Sequence, residues 1–202
     1  MVRLLLSLAL ISSFAFGGFD PVGQKAHYVL DKDPKRTTSM IKSGTIDVMV
    51  TKPLLDAAPP AYEVSVKYKA KISLVGDQEG EQAKAIDAEF FTPEFLEKLR
   101  KEGSYIGPNF KAKHQGYADA KNLDGKLYPH CDKILLYDIK DSGYADEFTR
   151  VFFDLDRFDI ENLQIVAHIY AGVPVLGAVK IDASGIYQGM NVKAGGDFQL
   201  TP

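Results

Sequence analysis

The clearest pattern along the chain is a strict alternation over residues 62–75. Tyr62, Val64, Val66, Tyr68, Ala70, Ile72 and Leu74 interleave with Glu63, Ser65, Lys67, Lys69, Lys71, Ser73 and Val75. A period of two places one set on a buried face and the other in water, so the segment reads as a half-buried β-strand. At about 3.3 Å per residue such a strand runs about 46 Å, against a diameter of roughly 40 Å for a compact domain of this length. It therefore has to bend, and long bent strands belong to barrels and half-barrels. The same period recurs at Ile46, Val48 and Val50, and at Ile86, Ala88 and Phe90. Residues 75–81 hold two glycines and read as a hairpin loop returning the long strand into the Ile86 strand. The stretch KPLLDAAPPA, with Pro53, Pro59 and Pro60, reads as an exposed connection, because proline cannot donate to a ladder.

One stretch has helical spacing instead. Thr92 suits an N-cap, Pro93 the first helical position, Glu94 the positive end of the helix dipole, and Gly103 the C-cap. Phe91 and Leu96 have the spacing of a hydrophobic staple. Phe95, Leu96 and Leu99 share one face, while Glu97, Lys98, Arg100 and Lys101 point away. This predicts a short amphipathic helix lying on the sheet, across its open side. Beyond Gly107 and Pro108, strand patterns return over residues 109–117, 131–139, 149–155, 162–170 and 173–181, with a shorter terminal pair around 186–192 and 198–200. Turn signals lie at 122–125, 141–143, 171–172, 184–185 and 195–196. The predicted fold class is mainly β (all-β or β-dominated α+β): a long curved antiparallel sheet, barrel or half-barrel, with one short amphipathic helix packed on it.

Composition adds an address. Arg3 precedes an apolar run over residues 4–16, and Ala15, Phe16 and Gly17 give a small-x-small cleavage pattern, so residues 1–17 read as a signal peptide and 18–202 as a single β-rich domain. The run is too short to span a bilayer, which needs about 20 residues. The expected protein is exported, periplasmic or secreted, and not membrane-spanning. Arg3 is the only charged residue in the leader, so its removal takes the net charge from −3 to −4. That balance argues against nucleic acid as a partner, since phosphate binding leaves a basic footprint. With one cysteine, Cys131, the chain has no internal disulfide, and its stability has to come from core burial.

Motifs for chemistry are sparse. The chain lacks G-x-S-x-G, a Walker A loop, G-x-G-x-x-G, H-E-x-x-H and paired C-x-x-C, so no catalytic residue, metal ligand or cofactor is assigned. Ser184, in DASG, reads as a hairpin turn. His130, Cys131 and Asp132 form the densest reactive cluster, but neighbours on a strand point to opposite faces and do not readily share a ligand. Asp154, Asp156 and Asp159, like Asp31 and Asp33, look superficially like calcium loops yet lack the EF-hand glycine and terminal glutamate. The remaining clue is aromatic: 12 Phe and 10 Tyr without Trp, spread over nearly every strand.

An exported chain without a catalytic constellation acts by binding. The leading expectation is a soluble envelope protein holding a lipid or other hydrophobic small molecule in a curved β-sheet cavity. Tyr62, Val64, Val66, Tyr68, Phe90, Phe95, Leu96 and Leu99 are the ligand-contacting candidates. By architecture this is similar to lipocalin-like barrels and to the half-barrels that ferry lipoproteins across the periplasm, a resemblance of fold alone. The alternative is a secreted β-sandwich interaction module that recognises an envelope protein or glycan through residues 104–109 and 143–146 or an exposed edge.

Overall fold

The computed structural model describes residues 21–30, 41–72, 76–107, 110–138, 160–175, 177–187 and 189–200. Strands β1 (Lys25–Leu30), β2 (Ile41–Leu54), β3 (Ala61–Ile72) and β4 (Gly76–Asp87) lead into a 3-10 turn (Ala88–Phe91) and helix α1 (Pro93–Glu102). Strands β5 (Ser104–Ile106), β6 (Lys111–Lys121), β7 (Leu127–Tyr137), β8 (Ile160–Ile169), β9 (Ala178–Tyr187) and β10 (Met190–Gln199) follow. These ten described strands form one antiparallel sheet in the order β4-β3-β2-β1-β10-β9-β8-β7-β6-β5. The sheet is not closed, and among the described strands β4 and β5 stand at the two ends of this order. The mainly β fold with one short helix is the expected one. The proposed signal segment and the 149–155 strand lie outside the described residues, as do Asp31, Asp33, Asp154, Asp156, Asp159 and the 143–146 loop.

Register shows which residues share a face, because cross-strand partners project to the same side. Tyr28, Ile46 and Tyr68 are successive partners across β1, β2 and β3, and Val50 opposes Val64. Leu136, Ile165 and Ala183 are successive partners across β7, β8 and β9. All of these belong to, or pack against, one apolar cluster, which defines the inner face.

That face is curled. The Leu123 N–H, in the β6–β7 turn, donates to the Phe198 carbonyl of β10 at 3.0 Å, and the Leu200 N–H donates to the Asp124 carboxylate at 2.9 Å. Strands β7 and β10 stand three places apart, about 14 Å in a flat sheet, so these bonds require the sheet to wrap. Residues 170–175 fold inward at the same end. Val173 and Val175 are buried in the core, and the Val175 N–H donates to Gln24 Oε1 at 2.9 Å. Val175 sits at φ 63°, a costly conformation for a β-branched residue. Its buried side chain and its bond to Gln24 hold it there.

Several boundaries differ from those read in the sequence. The hairpin pairs Ile72 with Gly76, so residues 76–81 belong to β4 instead of a loop. Among the described strands β4 pairs on one side only, which lets the polar run 76–81 ladder without a fully buried residue. Strand β2 continues through Pro53, which opposes Tyr62 just past a register shift between Val50 and Lys52, a position where proline's missing donor is tolerated. The expected 173–181 strand begins only at Ala178. Ser184 and Gly185 oppose Lys193 and Val192 in mid-strand, and Gly196 opposes both Ile181 and Leu30. The chain reverses instead near Gly189, at φ 76°. Strands β1 and β5 carry too short a pattern to be read in advance, yet β1 joins the two halves of the sheet by pairing with both β2 and β10.

Candidate functional site

The eight residues expected to contact a ligand divide between two places on the inner face. Tyr62, Val64 and Val66 are buried in the main cluster, and Tyr68 is half-buried against it. Phe90, Phe95 and Leu96 are half-buried around a second cluster of Leu99, Phe110, Ala112 and Ile134. They thus fall in two adjoining apolar clusters. Leu136 and Ile169 pack against both clusters. Ala112 opposes Leu136, which opposes Ile165, so the second region continues the inner face of the first. Tyr117 and Tyr170, counted in the aromatic inventory, are exposed instead.

The second region is roofed by α1. The 3-10 turn packs on β3 and β4, and the helix packs on β5 and β6, so this segment reaches from one edge of the sheet to the other. Phe90 meets Phe95 edge-on with ring centroids 4.8 Å apart, and Tyr105 lies 5.4 Å from Phe95 and 5.5 Å from Phe110. Helix α1 starts and stops where the sequence places it. Gly103 caps it in the left-handed region, φ 75°, with its N–H on the Leu99 carbonyl at 2.9 Å. Thr92 occupies the N-cap position but makes no side-chain bond to the helix; its hydroxyl donates to the Glu89 carbonyl at 2.7 Å. Only Leu99 of the helix is fully buried.

Arg100 was expected to face water with the other charged residues of the helix. Instead it reaches the sheet and grips Asp132 of β7 with two hydrogen bonds, Nε to Oδ1 at 2.7 Å and Nη2 to Oδ2 at 2.6 Å. Burying the apolar face so close to the sheet brings the adjacent guanidinium within range of the carboxylate. His114 Nε2 of β6 lies 3.0 Å from Asp132 Oδ1. The Asp132 side chain is 4% exposed, against 11% for His114 and 38% for Arg100. Burial pushes the Asp132 carboxyl up, but the hydrogen bonds from Arg100 and His114 outweigh it and hold the group below its usual range. The hydrogen bond to Asp132 raises Arg100 in turn.

The three neighbours His130, Cys131 and Asp132 go three ways. His130 is exposed, at φ 52°, with its N–H on the Asp119 carboxylate at 3.0 Å. Cys131 is fully buried, its thiol donates to the Tyr128 carbonyl at 3.2 Å, and burial raises its pKa, which describes an unreactive thiol. Asp132 joins the ionic cluster. That cluster draws on α1, β6 and β7, so no local spacing announces it. The only trace in the sequence is a carboxylate opening the apolar run of β7. Among the described residues, no three His, Cys, Asp or Glu side chains converge as a metal site, and no helix is long and apolar enough to cross a membrane. No protein-family model matches the chain, and no curated protein matches it in sequence.

Proposed function

We propose that this protein is an exported binding or carrier protein for a lipid or other hydrophobic small molecule, seated on the inner face of its open, curved sheet. The observation that carries this reading is apolar surface left partly uncovered beside a finished core. Val48, Tyr68, Ala70, Ile86, Leu136 and Ile169 pack against the main cluster yet remain half-buried. Helix α1 roofs the edge of the same face with Phe95 and Leu96 also half-buried. A ligand covering about 300 Å² of that surface gains about 7.5 kcal/mol before association costs. Export rests on the Arg3-led apolar run over residues 4–16.

The test is purification from its native envelope, organic extraction and mass spectrometry of the extract, paired with titration of the recombinant protein by cis-parinaric acid. A co-purifying amphiphile and saturable fluorescence enhancement are the expected results. An extract free of apolar molecules together with no saturable probe binding overturns the reading.

A further inference from the structure

We propose that the Arg100–Asp132–His114 cluster is a latch that holds helix α1 down over the inner face and so gates ligand access, an inference that rests on the carrier reading for its gating half. The two ends of α1 are held differently. At the C-terminal end the Gly103 carbonyl accepts the His114 N–H at 3.0 Å, tying the helix to β6 through backbone. At the other end Thr92 makes no side-chain bond to the helix and Phe95 and Leu96 are held by apolar contact, and the nearest backbone tie lies four residues before Thr92, where the Ala88 N–H donates to the Pro60 carbonyl at 2.9 Å. The pivot beside Arg100 is therefore Gly103, with residues 89–92 flexing between the Ala88 tie and the helix.

A rigid helix tilting by about 30° there carries the Arg100 Cα about 2 Å, at 1.5 Å of rise per residue. A bidentate pair tolerates only a few tenths of an ångström. Opening therefore breaks both Arg100 bonds, or forces the side chain out of its rotamer, and leaves a nearly buried carboxylate with His114 alone. The cluster thus adds a directional, geometry-sensitive tie to a helix that otherwise has one fully buried side chain. Lifting it uncovers Ala112, Ile134 and Leu136, the part of the inner face continuous with the main core.

Arg100→Met keeps the packing stem and removes the charge; Arg100→Lys keeps the charge and loses the fork. Amide exchange of α1 and stopped-flow association of cis-parinaric acid are measured on both, with the unaltered protein as reference. The expected result is α1 exchange faster by about ten-fold in Arg100→Met, the effect of losing one charge-assisted pair, with β2 and β10 unchanged. Probe association and dissociation quicken by a similar factor, with little change in Kd, and Arg100→Lys falls between. Unchanged α1 exchange in both variants overturns the latch. Faster exchange with unchanged probe rates overturns the gating while the carrier reading stands. Faster exchange with no probe bound by any form overturns the carrier reading and the gating together, and leaves the latch as a structural tie. If Arg100→Met does not fold, Arg100→Lys decides by the same readouts.

Discussion

The two apolar regions of the inner face are closed by different means. Around β1, β2 and β10 the walls are continuous backbone ladders, and Leu30, Ile46 and Val50 are sealed at 0–1% exposure. Under α1 the cover is a ten-residue helix held by Leu99, a few half-buried rings and one ion pair. Opening the first region means breaking the sheet. Opening the second breaks chiefly side-chain contacts, so local stability is expected to be lowest there.

The sharpest way to break the comparison is to damage each region equally. Ile165→Ala, in the main core, is expected to cost about 2–5 kcal/mol, read as a lower urea midpoint at unchanged slope. Leu99→Ala removes a comparable buried side chain, yet its cost is capped by the smaller free energy of docking α1, so a smaller loss is expected. Equal losses from the two substitutions would contradict a separable cover.

Acid separates the regions next. Asp132 titrates below its ordinary value in the folded protein, so its contribution is present above the unfolded carboxyl pKa of about 3.9 and is lost as pH falls through the lower, folded one. Arg100 and His114 face it directly, with Glu97 and Tyr117 contributing to the field at Arg100. Asp132→Asn is therefore expected to flatten the acid limb of the stability curve below about pH 4, measured by urea unfolding across that range.

His168 of β8 belongs to the ladder-walled part. Burial, with Lys133 and Lys180 nearby and Asp182 opposing them, pushes its imidazole below the usual range. The unfolded chain then binds the proton first, so stability falls as pH drops through about 6.5. In His168→Gln that step is expected to disappear from the same unfolding measurements. The smallest effect belongs to the rim: Lys69→Ala, breaking a fully solvated pair with Glu79 at 3.6 Å, should change stability by less than about 0.5 kcal/mol.

How much was legible depends on how local each cause is. The β3 alternation and the capped α1 are written in neighbouring residues, and both elements form within a few positions of where the pattern places them. Edge strand β4 was half hidden because its polar residues 76–81 ladder without burial, and Gly195 and Gly196 looked like a turn because their fit against neighbouring strands is a tertiary fact. The ionic cluster was scarcely legible. Arg100 reads as solvent-facing on its own helix, and only the arrival of β7 beneath it supplies Asp132. The apolar character of the eight proposed contacts was legible from periodicity, but their division between two clusters was not, because sequence alone does not say which strands the helix packs on.

The most direct measurement is amide exchange across the whole chain, with and without saturating cis-parinaric acid, at increasing low concentrations of urea. Exchange of α1 is expected to proceed by a local, urea-insensitive opening that the probe suppresses, while β2 and β10 exchange only with global unfolding. If α1 is as strongly protected as β10 and indifferent to the probe, the helix is not a movable cover and the account fails.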